Sequence, residues 1–186
     1  MIKRYKEEFD LQIKRAKIWL EKPENLSNDK DTQMFAKFYY LWSAFNSLYN
    51  LELDEVKDEK GRIEKILRLI DKKYSDSFIN RHSDELMKYD DPVRDEKYYF
   101  LMKFNQSYRE NHRNTNDDKK LNKIYSNPES SFNERLESVI LTIYRIRNNL
   151  THGNKSGDCR DISLVKNANP ILLNLVIILL KTLENK

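Results

Sequence analysis

Glycine and proline are scarce in this chain: 186 residues hold three glycines (Gly61, Gly153 and Gly157) and four prolines. Strand-and-turn architectures use both residues for tight connections, so their scarcity argues against a turn-rich β fold and predicts an all-α one. Cysteine is scarcer still. The lone Cys159 excludes an intrachain disulfide framework, fits a reducing compartment, and has no Cys or His neighbour at zinc-ligand spacing. Neither a metal nor another cofactor is expected. No glycine-rich phosphate loop is present, which argues against an NTPase of the usual kind. The apolar run from Ile171 to Leu180 is about half of the ~20 residues that cross a bilayer. It reads as a core helix, and no membrane association is expected. The first residues, Met1-Ile-Lys-Arg-Tyr-Lys-Glu-Glu, are charged throughout and lack the apolar stretch of a secretory leader. A cytoplasmic protein is the expectation.

What the chain does contain is charge and helical periodicity. Asp, Glu, Lys and Arg make up 34% of it, with a formal net charge of +4. That balance describes a well-solvated helical surface, and it permits RNA binding through a local patch without requiring it. The length predicts a single domain across residues 1–186, and no internal repeat, low-complexity tract or domain boundary stands out. Ile2, Tyr5, Phe9, Ile13, Ala16 and Leu20 predict a first helix running to about Glu21, before Pro23. A second, from about Asp31 to Asn50, places Phe35, Phe38, Trp42, Phe45 and Tyr49 on one stripe that reads as core rather than as a base-stacking platform. Asn46 interrupts that stripe, either to face a functional site or to bond nearby backbone. A third helix is expected over Arg62 to Lys72, others over Ser77 to Tyr89 and Lys97 to Tyr108, and a short one near Leu121 to Tyr125. His82 and His112 lie in polar surroundings and read as surface residues. The last helix is expected from about Asp161, bending at Pro170, with Asn169 capping a fresh start.

The segment Tyr144-Arg-Ile-Arg-Asn-Asn-Leu-Thr-His-Gly153 is the most informative one. Ser131-Phe-Asn-Glu134 is a capping box that starts its helix, and Gly153 suits the left-handed residue that ends one, which would put His152 in the last turn. Helical geometry, about 100° per residue, places Asn148 with His152 and Arg147 with Thr151. Arg147 and His152 fall about 140° apart on an ideal helix, so they flank one groove only if the last turn is distorted. Two readings stand. A fixed guanidinium beside a titratable imidazole suits phosphate chemistry, and Arg and His are also ordinary residues near helix C-termini, where they satisfy orphan carbonyls. Arg145 and Lys155 flank the motif, either as phosphate-holding cations or as solvated surface charges.

Three blocks carry a family resemblance: Phe38-Tyr-Tyr-Leu-Trp-Ser-Ala-Phe-Asn-Ser-Leu-Tyr49, Ile143-Tyr-Arg-Ile-Arg-Asn-Asn-Leu-Thr-His-Gly-Asn-Lys155, and Arg160-Asp-Ile-Ser-Leu-Val-Lys-Asn-Ala-Asn-Pro-Ile-Leu172. Together and in this order they resemble the HEPN domain, specifically its Apea-like branch. Residues 51–128 match no part of that family and read as a helical insert between the second helix and the motif helix. The resemblance implies a helical bundle that forms a homodimer and acts as a metal-independent endoribonuclease, a toxin or phage-defence effector, with RNA as substrate and an antitoxin or defence-system protein as partner. The family's Arg-x4-6-His pair maps onto Arg147 and His152, and its polar position onto Asn148. Where antitoxin-modified members carry tyrosine, this chain has Asn154, so that mode of control is not implied. Other HEPN domains are non-catalytic modules that bind RNA, nucleotide or protein, which is the alternative the resemblance leaves open.

Overall fold

The computed structural model describes residues 2–22, 29–51, 58–70, 74, 78, 81, 89–91, 96–98, 123–124, 127–151 and 159–185. The helices with described bounds are α1 (Ile2–Leu20), α2 (Lys30–Tyr49), α3 (Glu59–Leu67), α4 (Phe132–Thr151) and α5 (Cys159–Glu184). The all-α class follows. The extended backbone among the described residues is a hairpin of β1 (Tyr89–Asp91) and β2 (Glu96–Tyr98), antiparallel with Tyr89 opposite Tyr98. Strands this short make no sheet layer.

The hairpin corrects two helix expectations. Phe78 and Arg81 are helical, but Tyr89 begins a strand, and Lys97 and Tyr98 lie in its partner rather than at a helix start. Pro92 disfavours helical backbone in the residue before it, and the paired tyrosines favour extended structure. The expected helical stretch over 99–108 lies outside the described residues, as do His82, His112 and the connection at 154–157. Lys123 and Ile124 are helical, where a short helix was expected.

Two compact units divide the chain: Met1–Asp71 with Asn169–Lys186, and Lys72–Ala168. In the first, α2 is the central element. Its start is set by Asp29, whose carboxylate accepts from the backbone amides of Asp31 at 3.3 Å and Thr32 at 3.0 Å and from the Thr32 hydroxyl. Those bonds, the Thr32 hydroxyl foremost, hold the Asp29 carboxyl below its usual value. Farther along, Phe38, Leu41, Trp42, Phe45, Leu48 and Tyr49 are buried. Trp42 meets Phe45 edge to face at 5.5 Å, and Phe45 meets Tyr49 at 5.0 Å. From Phe38 to Tyr49 the aromatic stripe is therefore core, as its spacing predicts, while Phe35 is half-buried. Against it stand Ile13 and Ala16 of α1 and Ile63, Ile66 and Leu67 of α3, all buried.

Polar groups tie the ends of these helices together. The Tyr49 hydroxyl donates to Glu59, and the Asn50 amide donates to Asn46 while its oxygen accepts from Arg62 Nη1 at 2.8 Å. Asn46 thus accepts from a neighbouring side chain, a contact that neither sequence expectation named. α3 begins before the expected Arg62, because Asp58 caps it by accepting from the Gly61 amide at 2.7 Å.

α5 contributes Asn169–Glu184 to this unit, with Ile171, Leu172, Leu175, Val176, Leu179 and Leu183 buried. Its helical backbone continues through Pro170, and Asn169 caps no fresh start. The Asn169 amide instead donates to the Met34 carbonyl oxygen at 3.1 Å, and near the C-terminal end Glu184 pairs with Lys17. By length and composition Leu164–Glu184 is apolar enough to cross a membrane, which the shorter uninterrupted run did not suggest. Core helices share that composition, and 56% of the apolar stretch is buried within the protein.

Truncation in the aromatic stripe should be costly and truncation on the exposed face of α1 should not. Phe45→Ala should lower unfolding free energy by about 3–5 kcal/mol, whereas Ile18→Ala, at a position 45% exposed, should stay within about 0.5 kcal/mol. Urea unfolding followed by circular dichroism compares them, and equal losses would refute the assignment of core and surface.

Candidate functional site at the end of the fourth helix

The second unit is built on α4, whose start is over-determined. The Ser131 amide donates to Glu134 at 2.8 Å, the Ser131 hydroxyl donates to the same carboxylate at 2.7 Å, and the Glu134 amide reaches the Ser131 oxygen at 3.3 Å. This is the reciprocal capping box expected from Ser131 and Glu134. Arg135 adds two bonds of 3.0 Å to the carbonyl oxygens of Asn127 and Pro128, so the preceding turn is fastened to the helix.

Past its first turns α4 is buried almost all round. Leu136, Val139, Ile140, Leu141, Ile143 and Ile146 are core residues, and so are the polar Ser138 and Thr142. Those two hydroxyls are satisfied within the helix, Ser138 by the Arg135 carbonyl at 2.7 Å and Thr142 by the Ser138 carbonyl at 2.8 Å. A polar residue on a buried face is tolerated when its donor finds a carbonyl one turn back.

The chemistry-bearing residues follow directly. Arg147 is half-buried and its Nη1 donates to Asn148 Oδ1 at 2.7 Å. Among the expected site residues the structure brings these two together. The Asn148 oxygen accepts that bond, and its NH₂ group is a donor. Thr151 is exposed, and its hydroxyl donates to the Arg147 carbonyl oxygen at 2.8 Å. That bond is the back-bond of a helical threonine to the carbonyl one turn earlier. Arg145 lies two positions earlier, roughly 200° round the helix from Arg147, so the two do not share a face. It is half-buried, with its Nη1 shielded from solvent, and is not the fully solvated charge of one sequence reading. His152, Gly153, Asn154 and Lys155 lie outside the described residues, and so does the side chain of Asn149.

Sequence reasoning missed Asp161. It sits in the first turn of α5, in the same unit as α4, and is 1% exposed. A carboxylate is seldom this deeply buried, so this position belongs with the candidate residues. The signal was present in the sequence: α5 is otherwise strongly apolar, and Asp161 is its only acid before Glu184. Among the described residues no group of three or more His, Cys, Asp or Glu side chains is arranged to hold a metal ion.

The capping box has a pH signature. Hydrogen bonds from Ser131, its hydroxyl foremost, hold the Glu134 carboxyl below its ordinary value of 4.5. A depressed folded value means that the cap's stabilisation is present above the ordinary value and is lost as pH falls through the depressed one. Carbon-detected NMR of the Glu134 carboxyl should give a midpoint below 4.5, and Ser131→Ala should return it toward that value. A native midpoint at or above the ordinary one would contradict the capping geometry. Comparison of the chain with protein-family models, curated proteins and solved structures finds no match in any of the three.

Proposed function

We propose that this chain is a HEPN-type, metal-independent endoribonuclease, a toxin or phage-defence effector, in which Arg147, Asn148 and His152 act on a phosphodiester of RNA. The observation carrying this reading is the Arg147–Asn148 bond of 2.7 Å at the end of a buried helix, five residues before the His152 of the sequence motif. It orients a permanent cation, which suits a site for phosphate oxygens.

The reaction follows from the groups. The ribose 2′-hydroxyl attacks the adjacent phosphorus as a base takes its proton, the P–O5′ bond breaks, and an acid protonates the departing 5′-oxygen. The products are a 2′,3′-cyclic phosphate and a 5′-hydroxyl end. Charge accumulates on the non-bridging oxygens at the phosphorane stage, where Arg147 contributes most. An imidazole titrates near neutrality and suits either proton-transfer role. One imidazole cannot readily serve as both acid and base within one turnover, so a twofold dimer presenting two copies of His152 completes the site. Arg145 and Lys155 are assigned to RNA binding.

Incubation of RNA with purified protein in EDTA tests this reading. Arg147→Ala and His152→Ala should each reduce cleavage by about 10²–10³-fold, the usual cost of removing a group that stabilises transition-state charge. Cleavage that is absent from the wild type, or equal in all three proteins, rejects it. Light scattering on the same samples should report a dimer, and a fully active monomer would reject the shared site.

A second reading is favoured by a specific observation: Arg147 is half-buried and spends a donor inside its own helix. On that reading the fold is a non-catalytic HEPN module binding RNA, nucleotide or a protein partner. RNA bound but left intact by the wild type, with Arg147→Ala weakening the binding, is its distinguishing result.

A further inference from the structure

The outer face of α1 is left over from the packing that builds the first unit. Ile13 and Ala16 are buried, and Leu11 and Ile18 lie on the opposite side, about 140–160° round the helix from them. These two are 40% and 45% exposed. Being seven residues apart, they stand within about 20° of one another. An exposed aliphatic residue at the edge of a packed stripe is ordinary. Leu11 and Ile18 instead occupy the middle of the outward face. Glu7, Lys14 and Arg15, all exposed, surround them, and among the described residues none of the three has an ion-pair partner in its own chain.

Charge along that face divides at Leu11. Glu7 and Glu8 precede it by four and three residues, and Lys14 and Arg15 follow it by three and four. Leu11 is also the midpoint of α1, nine residues from Ile2 and nine from Leu20. A twofold axis through Leu11 therefore lays a second copy of α1 antiparallel over the whole helix, about 27 Å of contact, and exchanges its acidic half for its basic half. Glu7 then meets Arg15 of the second copy. Glu8, which accepts from Gln12 of its own helix at 3.0 Å, meets Lys14. The two Leu11 side chains meet at the axis, and Ile18 carries the apolar surface towards each end.

Other arrangements fail on charge. A parallel pairing sets each charge against itself, and an antiparallel register with Leu11 opposite Ile18 sets Lys14 against Arg15. We propose that the outer face of α1 is a self-association surface, occupied by the same face of a second copy, antiparallel and centred on Leu11. This contact uses the first unit alone and is separate from the pairing that presents two copies of His152. It does not rest on the proposed nuclease activity. A chain that makes both contacts assembles beyond a dimer. One helix pair is small beside the ~1,200–2,000 Å² of stable interfaces, so the association is weak and depends on concentration.

Sedimentation velocity on the full chain tests it over about 1 to 300 µM, a range that brackets a dissociation constant of tens of micromolar. The weight-average mass of the wild type should rise about twofold across that range. Glu7→Lys and Arg15→Glu each act twice across a twofold axis, placing like charges at both ends of the contact. Each should weaken association at least about tenfold. An equimolar mixture of the two variants should recover the wild-type rise, because one chain then presents cations at both positions and the other presents anions. Recovery also shows that each variant is folded. Leu11→Asp should abolish the rise.

The motif helix is untouched in all of these variants, so any dimer formed there sets the mass at 1 µM equally in each and leaves the comparison unaffected. A mass independent of concentration in the wild type overturns the proposal. So does an unaltered rise in both single charge reversals, or a mixture that behaves as the average of its components.

Discussion

Burial of the α2 aromatic stripe is the constraint on which the first unit depends. Trp42, Phe45 and Tyr49 form an edge-to-face ladder, and aromatic side chains of this size each bury roughly 150–250 Å². A helix carrying so much apolar surface on one side has to be covered. α1, α3 and the C-terminal part of α5 supply apolar residues that are buried in the same unit. The ladder ends in a polar atom, the Tyr49 hydroxyl, which finds Glu59 at the first residue of α3. Apolar packing thus brings the helices together, and one terminal hydroxyl joins the end of α2 to the start of α3.

The second unit applies a different rule to its central helix. α4 is apolar through its middle, its start is capped by short-range bonds, and near its other end Thr151 bonds back to Arg147. The start is capped by neighbours three residues apart in sequence, and the end uses Arg147, Asn148 and Thr151 within a single turn. A helix secured in this way positions its last turn largely by its own local bonding. That is what a site needs if its cation is to meet a phosphate in a fixed orientation.

Elements whose determinants are local were legible in the sequence. The capping box at Ser131 and the aromatic stripe from Phe38 to Tyr49 each follow from residues within a turn or two of one another. Where the deciding partner is distant in sequence, the reading failed. Asn169 reads as a cap because it precedes Pro170, yet its amide bonds Met34, 135 positions away. Asn46 is ambiguous until Asn50 and Arg62 are in place. Arg145 reads as a solvated charge from its neighbours, and only packing shows one of its nitrogens shielded. The hairpin at Tyr89 was missed because apolar and tyrosine spacing over so few residues fits helix and strand alike, and register with Tyr98 decided it. Of the site itself, Arg147 and Asn148 were legible as residues, but their mutual bond was not.

The Asn169–Met34 contact is asymmetric in what it demands of the chain. Asn169 supplies a side-chain amide, whereas position 34 supplies a main-chain oxygen that every amino acid possesses. The constraint therefore falls on one codon only. Divergent versions of this protein are free to exchange the residue at 34 for any that suits the flank of α2. A replacement at 169 that lacks a donor loses the bond, while the Met34 carbonyl stays within the α2 helix ladder. Across many related sequences the two positions would show no covariation despite being in contact, so methods that infer proximity from paired substitutions would overlook this join between α2 and α5.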